Sequence, residues 1–257
     1  MSVAPLPEIS GRVALVTGAG NGLGRAIALS LSAQGAHVIL VGRTEASLQE
    51  TASLLVGPSS VEVCDVSDPQ AVDRLRASVS LPVSILINNA GIGGPVAPIT
   101  DVLPEEWDEV FHVNVRSVYL MCRAFLPAMI ANGFGQIINV ASVTGKRPLT
   151  RRTPYSASKM AIIGLTRTLA FEVGHLGVSV NTLSPGPVRG PRMTRNFRLE
   201  AIATGVTEAE AEAAFVSRSA DRRLVEEFEV GEAAVAMLRM SALSGADIDL
   251  SAGMIAP

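Results

Sequence analysis

The feature that most constrains this chain is its alternation of short, continuously apolar runs with helical patterns over its first two thirds. Arg12 to Thr17 is β-rich, and Leu23 to Gln34 reads as a helix stopped by Gly35. His37 to Val41 is a second strand, followed by a helix capped by Thr44 that runs to about Leu55. Val61 to Cys64 is a third strand, and Asp68 to Val79 a helix with Pro69 in its first turn. Val83 to Ile87, Gln136 to Val140 and Val178 to Leu183 continue the strands. Between them lie a long helical pattern from about Pro104 to Ile130, expected to break near Pro127, and a helix from Thr153 to Val173. Strands that are apolar along their whole length must be covered on both faces, which requires a parallel sheet between two helical layers. Right-handed crossovers then make an α/β, Rossmann-type doubly wound sheet.

After Pro185 the rhythm changes. Pro185 to Pro191 reads as a stiff loop, Leu199 to Ser217 as one or two helices, Gly231 to Met240 as a helix and Asp247 to Leu250 as a last strand. At 257 residues with 48% hydrophobic content, residues 1–257 are expected to form one domain, with a lid insertion at about 186–225.

The bulk composition removes several function classes. A net charge of -3 and 4% aromatic residues offer nucleic acid neither attraction nor a stacking surface. Cys64 and Cys122 stand far apart and, with 3 histidines, make no metal spacing, so two reduced core thiols are expected. The opening MSVAPLPEIS lacks a basic, apolar leader, and no window is apolar enough for a membrane span. A cytoplasmic protein with neither nucleic-acid nor membrane partners is expected.

The first strand ends in Thr17-Gly-Ala-Gly-Asn-Gly-Leu-Gly24. Glycines there permit a tight turn with positive φ, and the next helix offers free N–H groups to a pyrophosphate. At the end of the second strand, where a carboxylate would grip the adenosine ribose of NAD, stands Gly42-Arg43. A guanidinium suits a 2′-phosphate, so NADP(H) is favoured, with NAD(H) the alternative. Tyr155 and Lys159 are four residues apart and share a helical face. An ammonium near a phenol lowers its pKa from about 10 and suits it to acid/base work near neutrality. Ser142 follows the fifth strand, where ligands of such sheets bind, and Asn114 needs partners within a helix.

With these residues in place, the chain resembles a short-chain dehydrogenase/reductase from about residue 10 to its C-terminus. The carriers are Thr17 to Gly24, Cys64-Asp65-Val66, Asn88-Asn-Ala-Gly91, Asn114, Ser142, Tyr155, Lys159 and Pro185-Gly186. The resemblance implies hydride transfer between a nicotinamide cofactor and an alcohol or ketone, with Tyr155 as acid/base. It implies that Ser142 orients the substrate oxygen, that Lys159 lowers the Tyr155 pKa and holds the nicotinamide ribose, and that Asn114 supports a proton-relaying water. It implies cofactor contacts from Gly18, Asn21, Gly22, Leu23, Gly24 and Arg43, then Asp65 and Val66 at the adenine, Asn89, Ala90 and Gly91 along the cofactor, and Pro185, Gly186 and Val188 at the nicotinamide. It also implies a homotetramer. One departure is Gly190, where many relatives carry Thr.

Basic residues crowd the expected pocket mouth: Lys146, Arg147, Arg151, Arg152, Arg189, Arg192, Arg195 and Arg198. They suit an acidic substrate, such as a 3-oxoacyl thioester, or they are solvated and ion-paired. Two rival functions make different demands on the chain. An epimerase or dehydratase would call for a larger substrate domain, and a non-catalytic cofactor-sensing protein would predict loss of Tyr155, Lys159 or Ser142.

Overall fold

The computed structural model describes residues 8–255. Its centre is a seven-stranded, wholly parallel sheet in the order β3-β2-β1-β4-β5-β6-β7. The strands are β1 (Val13–Thr17), β2 (His37–Gly42), β3 (Ser59–Val63), β4 (Val83–Asn88), β5 (Gly135–Val140), β6 (Val178–Pro185) and β7 (Asp247–Leu250). The order reverses between β1 and β4, and in such sheets the crevice beyond the strand ends at that point is where ligands bind.

Helices cover both faces, as a parallel sheet demands. In chain order they are α1 (Gly22–Ala33), α2 (Glu45–Leu54), α3 (Pro69–Ser78), α4 (Pro104–Phe111), α5 (Ser117–Ala131), α6 (Thr153–Val173), α7 (Pro191–Thr204), α8 (Glu208–Val216) and α9 (Glu227–Arg239). One core lies under α3, α5 and α6 around Leu15, Leu86, Met121, Phe125 and Ile162. The other lies under α1 and α9 around Val16, Ile27, Leu40, Ile87 and Leu238. At the α1–α9 crossing a Cβ on Gly231 would stand 2.7 Å from the Ala26 carbonyl oxygen, so only glycine allows this approach.

Three expectations need correction. The long helical pattern does not break at Pro127, which sits inside α5. Pro127 and Arg123 are both exposed, so the Arg123 carbonyl that loses its donor faces water. The interruption comes earlier, as a π-helical turn at His112–Arg116 between α4 and α5. The stretch read as a stiff loop ends in a helix start, because α7 begins at Pro191, where a missing N–H costs a helix nothing. The last helix likewise starts at Glu227, four residues before Gly231.

The helices α7 and α8 carry a small core of their own from Met193, Phe197, Ala201, Ala211 and Leu224. The expectation of no leader bears on residues 1–7, outside the described residues. No described helix is long and apolar enough to cross a membrane.

Candidate active site

The site forms where the carboxyl ends of β1, β4, β5 and β6 meet. Thr17 closes β1 and ties it to the neighbouring strand end. Its hydroxyl donates to the Ile87 carbonyl (3.3 Å) and accepts from the N–H groups of Asn89 (2.9 Å) and Ala90 (3.0 Å). The Asn89 amide returns a bond to the Thr17 carbonyl at 3.0 Å. Behind these groups, buried Asn88 donates to Asn139 (2.8 Å), which donates to Thr166 on α6 (2.9 Å). The strand ends and α6 are thereby fixed in register, since breaking a buried polar chain would leave unsatisfied groups.

The glycine turn fits a dinucleotide. Gly18 and Gly22 have φ of 66° and 51°, a region costly for other residues. Asn21 caps α1 by backbone alone, so its side chain takes none of the first-turn N–H groups. Arg25 stiffens the turn from behind, donating to the Gly20 carbonyl at 2.7 Å, and is held by Glu50 and Thr51. Leu23 and Gly24 complete the turn, with Gly24 buried against Gly18 and Asn89.

Asn114 is fully buried in the π-helical turn, a distortion found often at functional sites. Its Oδ1 accepts from the Ile92 N–H at 2.7 Å, and its amide donates to the Ile92 carbonyl and the Ser158 hydroxyl, both at 3.0 Å. Lys159 is 5% exposed, and its ammonium donates to the Val140 carbonyl at 2.9 Å. A Cβ on Gly91 would meet Asn114 Oδ1 at 3.0 Å and Lys159 Nζ at 3.6 Å, so these three residues share one spot. Lys159 Nζ also lies 5.7 Å from the centre of the Tyr155 ring. Ser142, nearly buried just past β5, accepts from the Thr144 N–H at 3.2 Å and reaches the Pro185 carbonyl at 3.4 Å. Pro185 ends β6. Gly186 packs on Ser251, and Val188 bridges to Val225.

At the far end, Arg43 is exposed and lines an open cleft of ≈ 560 Å³ with Cys64, Asp65, Asp68 and Arg74. Asp65 is held below the usual carboxylate range, first by the Ser67 hydroxyl at 2.6 Å and then, more weakly, by the charge of Arg43. Val66 is buried behind it. Burial pushes the Cys64 thiol up to about 11 and Cys122 to about 12, which makes both poor nucleophiles.

The basic cluster divides. Lys146 pairs with Asp247 (2.9 Å) and with Asp249. Arg189 pairs with Glu212 and Glu226, and Arg198 with Glu208. Arg152 lies with Cζ 5.4 Å from the Tyr155 ring centre. Sequence reasoning passed over Arg152 as a second cation beside the phenol, and over Thr17, Arg25 and Ser158. Ser158 was readable in Tyr155-Ser-Ala-Ser-Lys159, as a hydroxyl one position before the lysine. Thr17 opens the glycine motif, whose pattern marks the turn but not the bonds the hydroxyl makes beyond β4, and Arg25 follows the motif without a pattern that marks it.

The family model described as short chain dehydrogenase matches residues 12–202. A ketoacyl reductase of the granaticin polyketide synthase of Streptomyces violaceoruber is 42% identical over 196 residues, covering 71% of this chain and 70% of the relative. The L-sorbose reductase of Gluconobacter frateurii, solved with NADPH and L-sorbose, superposes with a TM-score of 0.90 at 28% identity, covering 96% and 97% of the two chains. An NAD+-bound xylitol dehydrogenase gives 0.85 at 28% identity, covering 96% and 100%. The chain belongs to the short-chain dehydrogenase family and is an oxidoreductase of alcohol and ketone substrates.

Proposed function

We propose that this chain is an NADP(H)-preferring carbonyl reductase or alcohol dehydrogenase in which Asn114, Ser142, Tyr155 and Lys159 act together. The observation that carries the reading is the meeting of Lys159, Asn114 and Gly91 beside Tyr155, at the carboxyl end of the sheet. When bound, a nicotinamide dinucleotide supplies or takes up the hydride. The residues that would hold it are Gly18, Asn21, Gly22, Leu23 and Gly24 at the pyrophosphate and Arg43, Asp65 and Val66 at the adenosine. Asn89, Ala90 and Gly91 follow along the cofactor, and Pro185, Gly186 and Val188 lie at the nicotinamide.

The chain's own part is orientation and proton movement. The Ser142 hydroxyl holds the substrate oxygen. The Tyr155 hydroxyl gives that oxygen a proton in reduction and recovers it in oxidation. A buried ammonium beside the phenol favours the phenolate and so eases proton loss. Lys159 passes the replacement proton from water ordered at Asn114. Residues 186–225 act as a lid over this corner, within a single domain of a cytoplasmic enzyme.

Two finer features follow. The face of α6 carrying Met160, Gly164, Arg167 and Phe171 is open, and Phe171 is 93% exposed; large apolar side chains exposed on such a face support a homotetramer. The basic residues around the pocket mouth suit an acidic substrate such as a 3-oxoacyl thioester.

The coenzyme preference rests on Arg43 and on the lack of a carboxylate at its position. In Arg43→Asp the Kd for NADPH is expected to rise about 100-fold, the loss of one close charge-assisted phosphate contact plus a new repulsion. The Kd for NADH should change by less than about threefold. Fluorescence titration of parent and variant with both nucleotides measures this. A parent that binds NADH more tightly than NADPH overturns the preference.

A further inference from the structure

Glu227, in the first turn of α9, lies where no sequence pattern would place it. A Cβ on Gly22 would stand 3.8 Å from its Oε1, and a Cβ on Gly190 would stand 3.1 Å away. The carboxylate therefore spans the gap between the glycine turn at the N-terminus of α1 and the loop that follows β6. Among the described residues it has no hydrogen bond or ion pair, although Glu226 and Glu229 beside it are bonded to Arg189 and Arg223. Gly190 has φ 161°, extended backbone that any residue adopts, so its conformation does not demand glycine. A side chain there would touch the Glu227 carboxylate and push it by a few tenths of an ångström.

We infer that Glu227 sets the affinity of the cofactor site, a fixed negative charge facing the pyrophosphate position that holds dinucleotides loosely and speeds their release. The inference rests on the proposed cofactor site. The free N–H groups and dipole of α1 attract an anion, and Glu227 competes for that same positive end. A pyrophosphate entering there meets a like charge a few ångströms away, in a partly buried setting that screens it less than water would. The effect acts on the part common to NADPH and NADH, so it sets the grip on both and leaves the choice between them to Arg43. Gly190 leaves the carboxylate uncrowded on its other side.

The test is binding rather than turnover. Glu227→Gln keeps the shape and removes the charge. By fluorescence titration its Kd for NADPH and for NADH is expected to fall about tenfold, the size of one partly screened like-charge contact. The gain should shrink in 1 M salt, where the screening length falls to about 3 Å. Adenosine 2′-monophosphate, which has no pyrophosphate, should bind parent and variant alike. Glu227→Ala removes the same charge and must shift the two Kd values in the same direction. A variant that binds dinucleotides no more tightly than the parent, or that tightens on adenosine 2′-monophosphate equally, overturns this inference alone. A parent that binds neither dinucleotide overturns the cofactor site itself and this inference with it.

Discussion

Replacing Tyr155 with Phe is expected to lower kcat by about a thousandfold or more while leaving the Kd for dinucleotide within about threefold. The substitution removes one oxygen and keeps the ring. The ring keeps two cations near it, Lys159 Nζ at 5.7 Å and Arg152 Cζ at 5.4 Å from its centre, so its packing survives. Only the proton donor is lost, and a positioned acid or base contributes typically about 10²–10⁴-fold. An interaction needed only in the transition state lowers kcat without loosening the ground state. The measurement is nucleotide absorbance against a panel of ketones and alcohols, paired with cofactor titration. Equal turnover in the two proteins would end the proposed mechanism. A loss of cofactor binding in step with activity would assign Tyr155 a structural role instead.

How much of this was legible in the sequence depends on the distance over which each feature is decided. The central strands were readable because burial on both faces makes them continuous apolar runs, as in Val38 to Val41, whereas the edge strand β3, Ser59–Val63, is only partly buried and begins two residues before the apolar run that marks it. The glycine turn and the Tyr155–Lys159 pair were readable because both are local, held within a few residues. The π-helical turn at His112–Arg116 was not, since nothing in those five residues requires it. It is set by the bonds of Asn114 to Ile92 and Ser158, which lie 22 and 44 positions away. The Pro127 expectation failed for a related reason. A proline's cost depends on whether the orphaned carbonyl meets water or core, and only the fold decides that. Glu227 and Gly190 illustrate the same limit, because their approach joins the first turn of α9 to the residue that caps α7.

Gly24 sets local propensity against packing, and the outcome is expected to be large. Alanine is the better helix former by about 1 kcal/mol, and Gly24 lies in the first turn of α1, so propensity alone predicts that Gly24→Ala stabilises. The surroundings say otherwise. The added Cβ would overlap the Gly18 carbonyl oxygen and come within 2.6 Å of Asn89 Nδ2. Neither neighbour is free to yield. Gly18 is fixed in its positive-φ turn, and the Asn89 amide is bonded to the Thr17 carbonyl at 3.0 Å. Forcing a methyl into a packed site costs typically about 1–3 kcal/mol, more where the obstacle is backbone. Packing therefore wins, and Gly24→Ala should lower Tm by about 5 °C or more, given roughly 2–4 °C per kcal/mol for a chain near this size. Relief comes only from displacing the glycine turn or Asn89, so the Kd for dinucleotide should rise at least about tenfold as the turn loses its shape. Calorimetry and fluorescence titration on the same preparation check both halves. A variant that melts at or above the parent and binds dinucleotide equally well would mean that α1 and the strand ends are not packed as tightly as described, and the positioning of Asn89, Ala90 and Gly91 would then need another cause.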